Sequence, residues 1–256
     1  MVRPLTLDAA FLPVEVGRRP QSIAIAIDVL RASSSIITLF DRGCRSIGLA
    51  ESTEAARAFA RTSAPAQVLL CGEVGGLPPY GFDYGNSPSE FSRLDFTGKH
   101  VVMSTSNGTN AIRACAECAV TLVGALLNAN AAVREALELR DGMREIVLVC
   151  AGRAGRFVLD DAVAAGYFSH VLLNEAKIRE LPVVQTNAAV AAYRLYHSYP
   201  HVSAAWNESD SARNLQSIGL EQDISFCTKA SMTRQVPRLE REVPASWEER
   251  KGLYVL

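Results

Sequence analysis

The run Ser22-Ile23-Ala24-Ile25-Ala26-Ile27-Asp28-Val29-Leu30-Arg31-Ala32-Ser33-Ser34-Ser35 decides the fold class. Its first six residues are almost unbroken apolar, the pattern of a strand buried on both faces, as in parallel sheets. The composition of residues 33–40 then reads as a helix entered through serines. The unit is strand, loop, helix, with charged and hydroxyl groups gathered where the strand ends.

The same order recurs outward from this unit. Apolar run 46–50 precedes a helical stretch at 53–61, 100–103 precedes 107–116, 120–123 precedes 129–139, and 145–150 precedes 159–176, with a further strand at 67–71. Strands alternating with helices at these spacings predict an α/β fold: mainly parallel sheets flanked by helices in three layers, α/β/α. Residues 183–199, 211–218 and 221–227 are expected to be helical and 237–243 to form an edge strand. The expected division is into two α/β subdomains, 1–135 and a more helical 136–256, with no low-complexity linker between them.

Composition narrows the function. A chain of 256 residues, 48% of them hydrophobic, can bury a sizeable core in one large or two smaller domains. Lys plus Arg total 26 against 27 Asp plus Glu, which gives no reason to expect nucleic acid or an anionic membrane as a partner. No run approaches the ~20 apolar residues of a bilayer span, and the N-terminus lacks the basic-then-apolar order of a signal peptide, so a cytoplasmic location is expected. The six cysteines sit mostly in apolar runs and read as reduced, buried thiols. Cys115-x-x-Cys118 has no second pair and reads as core packing. The expected partner is a small phosphorylated acid, and a homodimer is a compatible assembly.

Polar residues at the carboxyl ends of parallel strands mark the crevice where open α/β sheets bind ligands. A carboxylate at Asp28, directly after a buried strand, is costly unless it is paired, hydrogen-bonded or bound to a metal. Arg31 is its bland partner. The functional reading adds Ser33 and its neighbours, which would offer hydroxyls and helix amides to an anion. Glu73 follows the strand at 67–71 in the same topological position, suggesting oxygen ligands from neighbouring strand ends, as Mg²⁺ prefers. Asp83 and Asn86 lie in a long Gly- and Pro-rich loop and would add contacts, although Gly85-Asn86-Ser87-Pro88 is also good turn chemistry. Ser106-Asn107-Gly108-Thr109 has the small residues needed to wrap an anion, or simply to cap a helix; it is not a P-loop. Asp160 and Asp161 open another helix, where negative charge is favourable in any protein.

Taken together, Asp28-Val29-Leu30-Arg31-Ala32-Ser33, Gly72-Glu73, Gly81-Phe82-Asp83 with Gly85-Asn86-Ser87-Pro88, Ser104-Thr105-Ser106-Asn107-Gly108-Thr109 and Asp160-Asp161-x-x-Ala164-Ala165-Gly166 resemble the motifs of the 2-phosphosulfolactate phosphatase family. The likeness runs in order through most of the chain, to Ser211-Ala212-x-Asn214-Leu215. It implies a Mg²⁺-dependent phosphatase of α/β fold that hydrolyses 2-phosphosulfolactate to 3-sulfolactate, a step toward coenzyme M in methanogens. It also places the acidic, catalytic and metal-binding site on Asp28, Glu73 and Asp161, with Arg31 and the 106–109 loop nearby. At position 160 the family pattern is expected to carry Glu, where this chain has Asp.

Two mechanisms remain open under that resemblance: Asp28 attacks phosphorus itself, or water attacks with a carboxylate as base. A rival lies in Cys150-Ala151-Gly152-Arg153-Ala154-Gly155-Arg156, which has the Cys-x5-Arg spacing of metal-independent cysteine phosphatases. No His precedes Cys150, and Phe157 stands where a hydroxyl is usual, so Arg153 and Arg156 read more readily as contacts for a substrate anion. A third reading is a non-catalytic protein that binds a phosphorylated metabolite. The acidic residues argue against it, since an anion binder gains nothing from added negative charge without a cation.

Overall fold

The computed structural model describes residues 3–62, 68–240 and 254–256. The strands are β1 (Leu5–Ala10), β2 (Ser22–Ile27), β3 (Ser46–Leu49), β4 (Val68–Gly72), β5 (His100–Ser104), β6 (Val120–Gly124), β7 (Glu145–Cys150), β8 (Val183–Gln185) and β9 (Tyr254–Val255). The helices are α1 (Ala32–Asp41), α2 (Thr53–Thr62), α3 (Pro88–Phe91), α4 (Gly108–Ala114), α5 (Ala129–Glu138), α6 (Leu159–Ile178), α7 (Asn187–His197), α8 (Val202–Asn207), α9 (Asp210–Ser217) and α10 (Glu221–Cys227). A five-stranded sheet runs β6-β2-β7-β1-β8, and its pairings are all parallel. A second sheet runs β4-β5-β3-β9; the first three strands are parallel and β9 is antiparallel.

Alternation along the central strands sorts side chains by size. Ile23, Ile25 and Ile27 of β2 and Ile146 and Leu148 of β7 face the core shared with α5, α6 and α7. Each such side chain gains about 1.5–3 kcal/mol on leaving water. Ala24 and Ala26 face the opposite core, where α1 supplies Ile36, Ile37 and Leu39, and β3 and β5 of the second sheet supply Ile47, Leu49, Val101 and Met103. The small residues let α1 lie close against β2. A third cluster, Ala56 and Phe59 of α2 with Leu70 and Val102, covers the far face of the second sheet. Each sheet is thus flanked by helices, and the two sheets meet around α1.

The topology departs from the expected division at 135/136. Strand β7 lies between β1 and β2, so the five-stranded sheet draws on both halves of the chain, while β3, β4 and β5 form their own sheet. Parallel neighbours require crossover connections, which let sequence-distant strands pair. Strand β1 was not foreseen: Leu-Thr-Leu-Asp-Ala-Ala carries Asp8 in mid-strand, and only the fold supplies its partners, Arg19 at 2.7 Å and Thr186. The expected helix over 183–199 is helical only from Asn187; its first three residues extend the sheet beside β1. Of the expected strand at 237–243, Arg238 and Glu240 form isolated bridges, and 241–243 lie outside the described residues, as does residue 67. All six cysteines are buried free thiols, and Cys115 and Cys118 pack in the core between the sheets. Among the described residues no helix is long and apolar enough to cross a membrane.

Candidate active site

A cleft opens where the carboxyl ends of both sheets converge. Strand β2 delivers Asp28, Leu30 and Arg31, β7 delivers Gly152 and Arg153, and the start of α6 delivers Asp160 and Asp161. From the second sheet, β4 delivers Glu73, Gly75 and Gly76, and β5 delivers Thr105, Ser106 and Asn107. Asp28 and Glu73 therefore follow strands of different sheets, not neighbours in one sheet. Asn86 closes one side, and Ser211, Asn214 and Leu215 of α9 another.

Each carboxylate is held by backbone amides. The Ala32 N–H donates to Asp28 Oδ1 at 3.2 Å, and the Asp28 N–H donates to Ser33 Oγ at 2.9 Å. The opposite oxygen of Asp28 lies against Gly108, where a Cβ would come within 2.7 Å of Oδ2. Any larger residue at 108 would displace the carboxylate. The Glu73 oxygens accept from Gly76 N–H at 2.7 Å and Ser106 N–H at 2.8 Å, tying β4 to β5. The Asp161 oxygens accept from Val29 N–H at 2.9 Å and Gly152 N–H at 3.1 Å, tying β2 to β7.

Crowding of acids in a buried cleft shifts their proton affinity. Burial, with the Asp160 and Glu73 charges added, pushes the Asp28 carboxyl up to about 7 against relief from the Ala32 amide and Arg31. Burial raises Asp160 to about 6, relieved by its own amide, by Ser211 and Ser209, and by the charge of Arg153. Asp161 is pushed well above the usual carboxylate range by burial and by the Asp160 and Asp28 charges. Among the described residues, two buried oxygens of the cleft, Asp160 Oδ1 and Asn86 Oδ1, have no hydrogen-bond partner. Unsatisfied buried acceptors beside several carboxylates fit a hard cation. Among the described residues, no three or more His, Cys, Asp or Glu side chains are grouped so as to hold a metal by themselves. Asp28, Glu73 and Asp161 thus do not make a closed cage, and a Mg²⁺ ion there would depend on water and substrate oxygens as well.

Of the expected site residues, Asp28, Arg31, Glu73, Asn86, Ser106, Asn107, Arg153 and Asp161 line the cleft. Ser33, Gly108, Thr109 and Arg156 do not. The Ser33 hydroxyl is buried and serves Asp28 N–H and the Ala26 carbonyl, so it is closed to an anion. Thr109 is buried, bonded through its amide and hydroxyl to Thr105. Asp83 accepts from Leu70 N–H at 2.8 Å, outside the cleft. Asn107 lines it while accepting from Ala154 N–H at 3.0 Å.

The cysteine mechanism loses its footing. Cys150 is buried in the core, outside the cleft lining, and burial together with the Asp161, Asp160 and Glu15 charges raises its thiol well above the ordinary range. A thiolate nucleophile needs the opposite environment. The loop amides are also spent: Arg153 and Arg156 exchange N–H···O bonds at 2.9 and 3.0 Å across a tight turn, instead of pointing at an anion.

Sequence reasoning missed Asp223. Fully buried on α10, it accepts from Arg31 Nη1 and Ser87 Oγ, each at 2.7 Å, and from the Ser89 hydroxyl and amide at 2.6 and 3.1 Å. In sequence it is one acid in the first turn of a short helix, which signals nothing beyond helix polarity. Ser211 and Asn214 carried only the signal of the resemblance.

Fold and site together define an α/β protein whose two parallel sheets share one acid-rich cleft at their carboxyl ends, with two guanidinium groups facing four carboxylates. Residues 12–242 match the family described as 2-phosphosulpholactate phosphatase, and the chain belongs to that family. It is 38% identical over 218 residues to a protein of Deinococcus radiodurans (85% of this chain, 87% of that one) and 36% identical over 224 residues to one of Thermus thermophilus (86% and 89%). A protein of Clostridium acetobutylicum is 31% identical over 215 residues (84% and 88%). All three are named "probable 2-phosphosulfolactate phosphatase".

Proposed function

We propose that the chain is a Mg²⁺-dependent phosphatase acting on 2-phosphosulfolactate or a closely related phosphorylated 2-hydroxy acid, releasing phosphate and the free hydroxy acid. The observation that carries this reading is the convergence of Asp28, Glu73, Asp160 and Asp161 on one cleft that holds two orphaned acceptor oxygens. In it, Asp28 and Asp160 would hold the ion, with Glu73 at the second sheet and Asn86 adding an oxygen. Glu73 and Asp161 each have both oxygens engaged by backbone amides, so each would meet the ion through a remaining lone pair while tying β4 to β5 and β2 to β7. When bound, Mg²⁺ supplies charge neutralisation at the phosphoryl oxygens.

The chain's own groups then divide the work. Arg31, fixed at the cleft wall, directs its remaining N–H donors at the phosphoryl oxygens. Asp28 takes a proton from the attacking water as the P–O ester bond breaks, and the proton passes to the leaving alkoxide. Arg153 meets the carboxylate or sulfonate end of the substrate: among the described residues it has, unlike Arg31, no ion pair, and its Nη1 is held by one long bond, 3.3 Å to the Asp210 carbonyl. A metabolic, cytoplasmic setting with reduced thiols agrees with the buried free cysteines. The test is phosphate release from 2-phosphosulfolactate with and without a chelator. Activity abolished by chelation and restored by Mg²⁺ is expected; full activity in excess chelator would overturn the metal role, and absence of turnover with Mg²⁺ present would leave a binding protein.

A further inference from the structure

Arg31 does not stand free in the cleft. Its side chain is almost completely buried, with Nη1 on Asp223 at 2.7 Å and Nη2 on the Gly76 carbonyl at 2.8 Å. Asp223 lies 192 residues away in sequence, on a helix that contributes nothing to the cleft lining. Its second oxygen is occupied by Ser87 and Ser89, so the carboxylate bridges α10, the start of α3 and the loop after β2. A guanidinium has five N–H donors in a rigid plane. Bonds from its two terminal nitrogens fix that plane and leave the remaining donors for a ligand.

The neighbours of Arg31 explain why such an anchor is needed. Asp28, Glu73, Asp160 and Asp161 all line the same cleft, and a mobile guanidinium there would fold onto one of them, turning its donors from the substrate and taking a carboxylate oxygen from the cation. We propose that Asp223 is a positioning residue that holds the Arg31 guanidinium away from the cleft carboxylates and aimed at the substrate phosphate, with Ser87 and Ser89 setting Asp223 in turn. The inference rests on the reading that Arg31 contacts the phosphate, and it assigns the C-terminal helix α10 a part in the chemistry.

Chemical rescue separates anchoring from mere folding. Arg31→Ala is expected to lower kcat/KM for 2-phosphosulfolactate by about 100-fold, and added guanidinium at sub-denaturing concentration to restore about tenfold of it, because Asp223 still marks the vacated place. In Arg31→Ala/Asp223→Asn the same additive is expected to restore less than about a third of that gain. The double variant removes both ends of a buried pair, which is gentler than stranding one charge, so it folds even where Asp223→Asn alone does not; melting temperatures check this. Equal rescue in both backgrounds, or none in Arg31→Ala, overturns the anchor. An Arg31→Ala variant with unchanged kinetics overturns the phosphate contact itself.

Discussion

Two loops that enter the cleft from opposite sheets use the same backbone device for opposite ends. After β4, residues 73–77 make a tight turn in which Val74 and Leu77 pair and Gly75 and Gly76 have φ of 64° and 95°. After β7, residues 152–156 repeat it, with Arg153 and Arg156 paired and Ala154 and Gly155 at 49° and 72°. Each turn follows a strand that carries a buried cysteine at or next to its end, Cys71 and Cys150. The side chains differ in restraint. Glu73 is pinned by two amides, whereas among the described residues the Arg153 guanidinium makes one long bond, to a carbonyl. A pinned acid suits a small ion of fixed coordination, and a loosely held guanidinium suits the variable end of a substrate.

The comparison breaks most sharply at the acidic loop. Glu73→Gln removes the charge and one of the two acceptors, since an amide NH₂ cannot accept from a backbone N–H. A fall in kcat/KM of about 10²–10³ is expected, with a raised Mg²⁺ requirement. A loss of only a few-fold in steady-state kinetics would reduce Glu73 to a tie between β4 and β5.

At the basic loop the expected effect is smaller and selective. Arg153→Ala should raise KM for 2-phosphosulfolactate by about tenfold and leave a simple phosphomonoester almost untouched. Arg156→Ala, outside the cleft lining, should change neither. Equal loss on both substrates would move Arg153 to the phosphate.

Stability against pH sharpens the same contrast, because the charge excess sits on the acidic side. Asp28 is raised to about 7 in the folded chain from an ordinary unfolded value near 4. The native state therefore binds more protons between those values, and its stability, full below about pH 4, is lost as pH rises toward 7. Without divalent cation, Asp28→Asn should melt above the native protein at pH 8 and lose that advantage near pH 4. A lower melting temperature for the variant at pH 8 would place the carboxylate in a favourable, not a costly, environment.

The smallest effects lie in the turns themselves. Gly75→Ala forces a side chain into the left-handed region and should cost about 1 kcal/mol, while Ala154→Gly relieves the same strain and should return roughly a few tenths after the entropy of the unfolded chain is counted. Changes of the same sign in denaturant unfolding would show that the two turns are not equivalent.

The alternation of apolar runs with helical stretches, from 22–27 through 145–150, was legible because strand and helix impose their own periods on whatever sequence forms them. The positions of Asp28, Glu73, Asn107 and Arg153 at strand ends were legible for the same reason: they lie next to those runs, and strand ends of α/β sheets are where ligand sites form. Local pattern also settled the buried, reduced state of the cysteines. It did not settle pairing. Nothing in Leu5–Ala10 says that it lies between β7 and β8, and nothing in the order of strands says that β3, β4 and β5 leave the first sheet to form a second. Serines 33–35 looked available to an anion because their hydroxyls are polar; packing of α1 against β2 turned them inward onto Ala26, Val29 and Asn86. Asp223 lies at the far limit of this divide. Its meaning depends on a guanidinium 192 residues away, a distance that only tertiary packing, which buries the two charges against each other, could close.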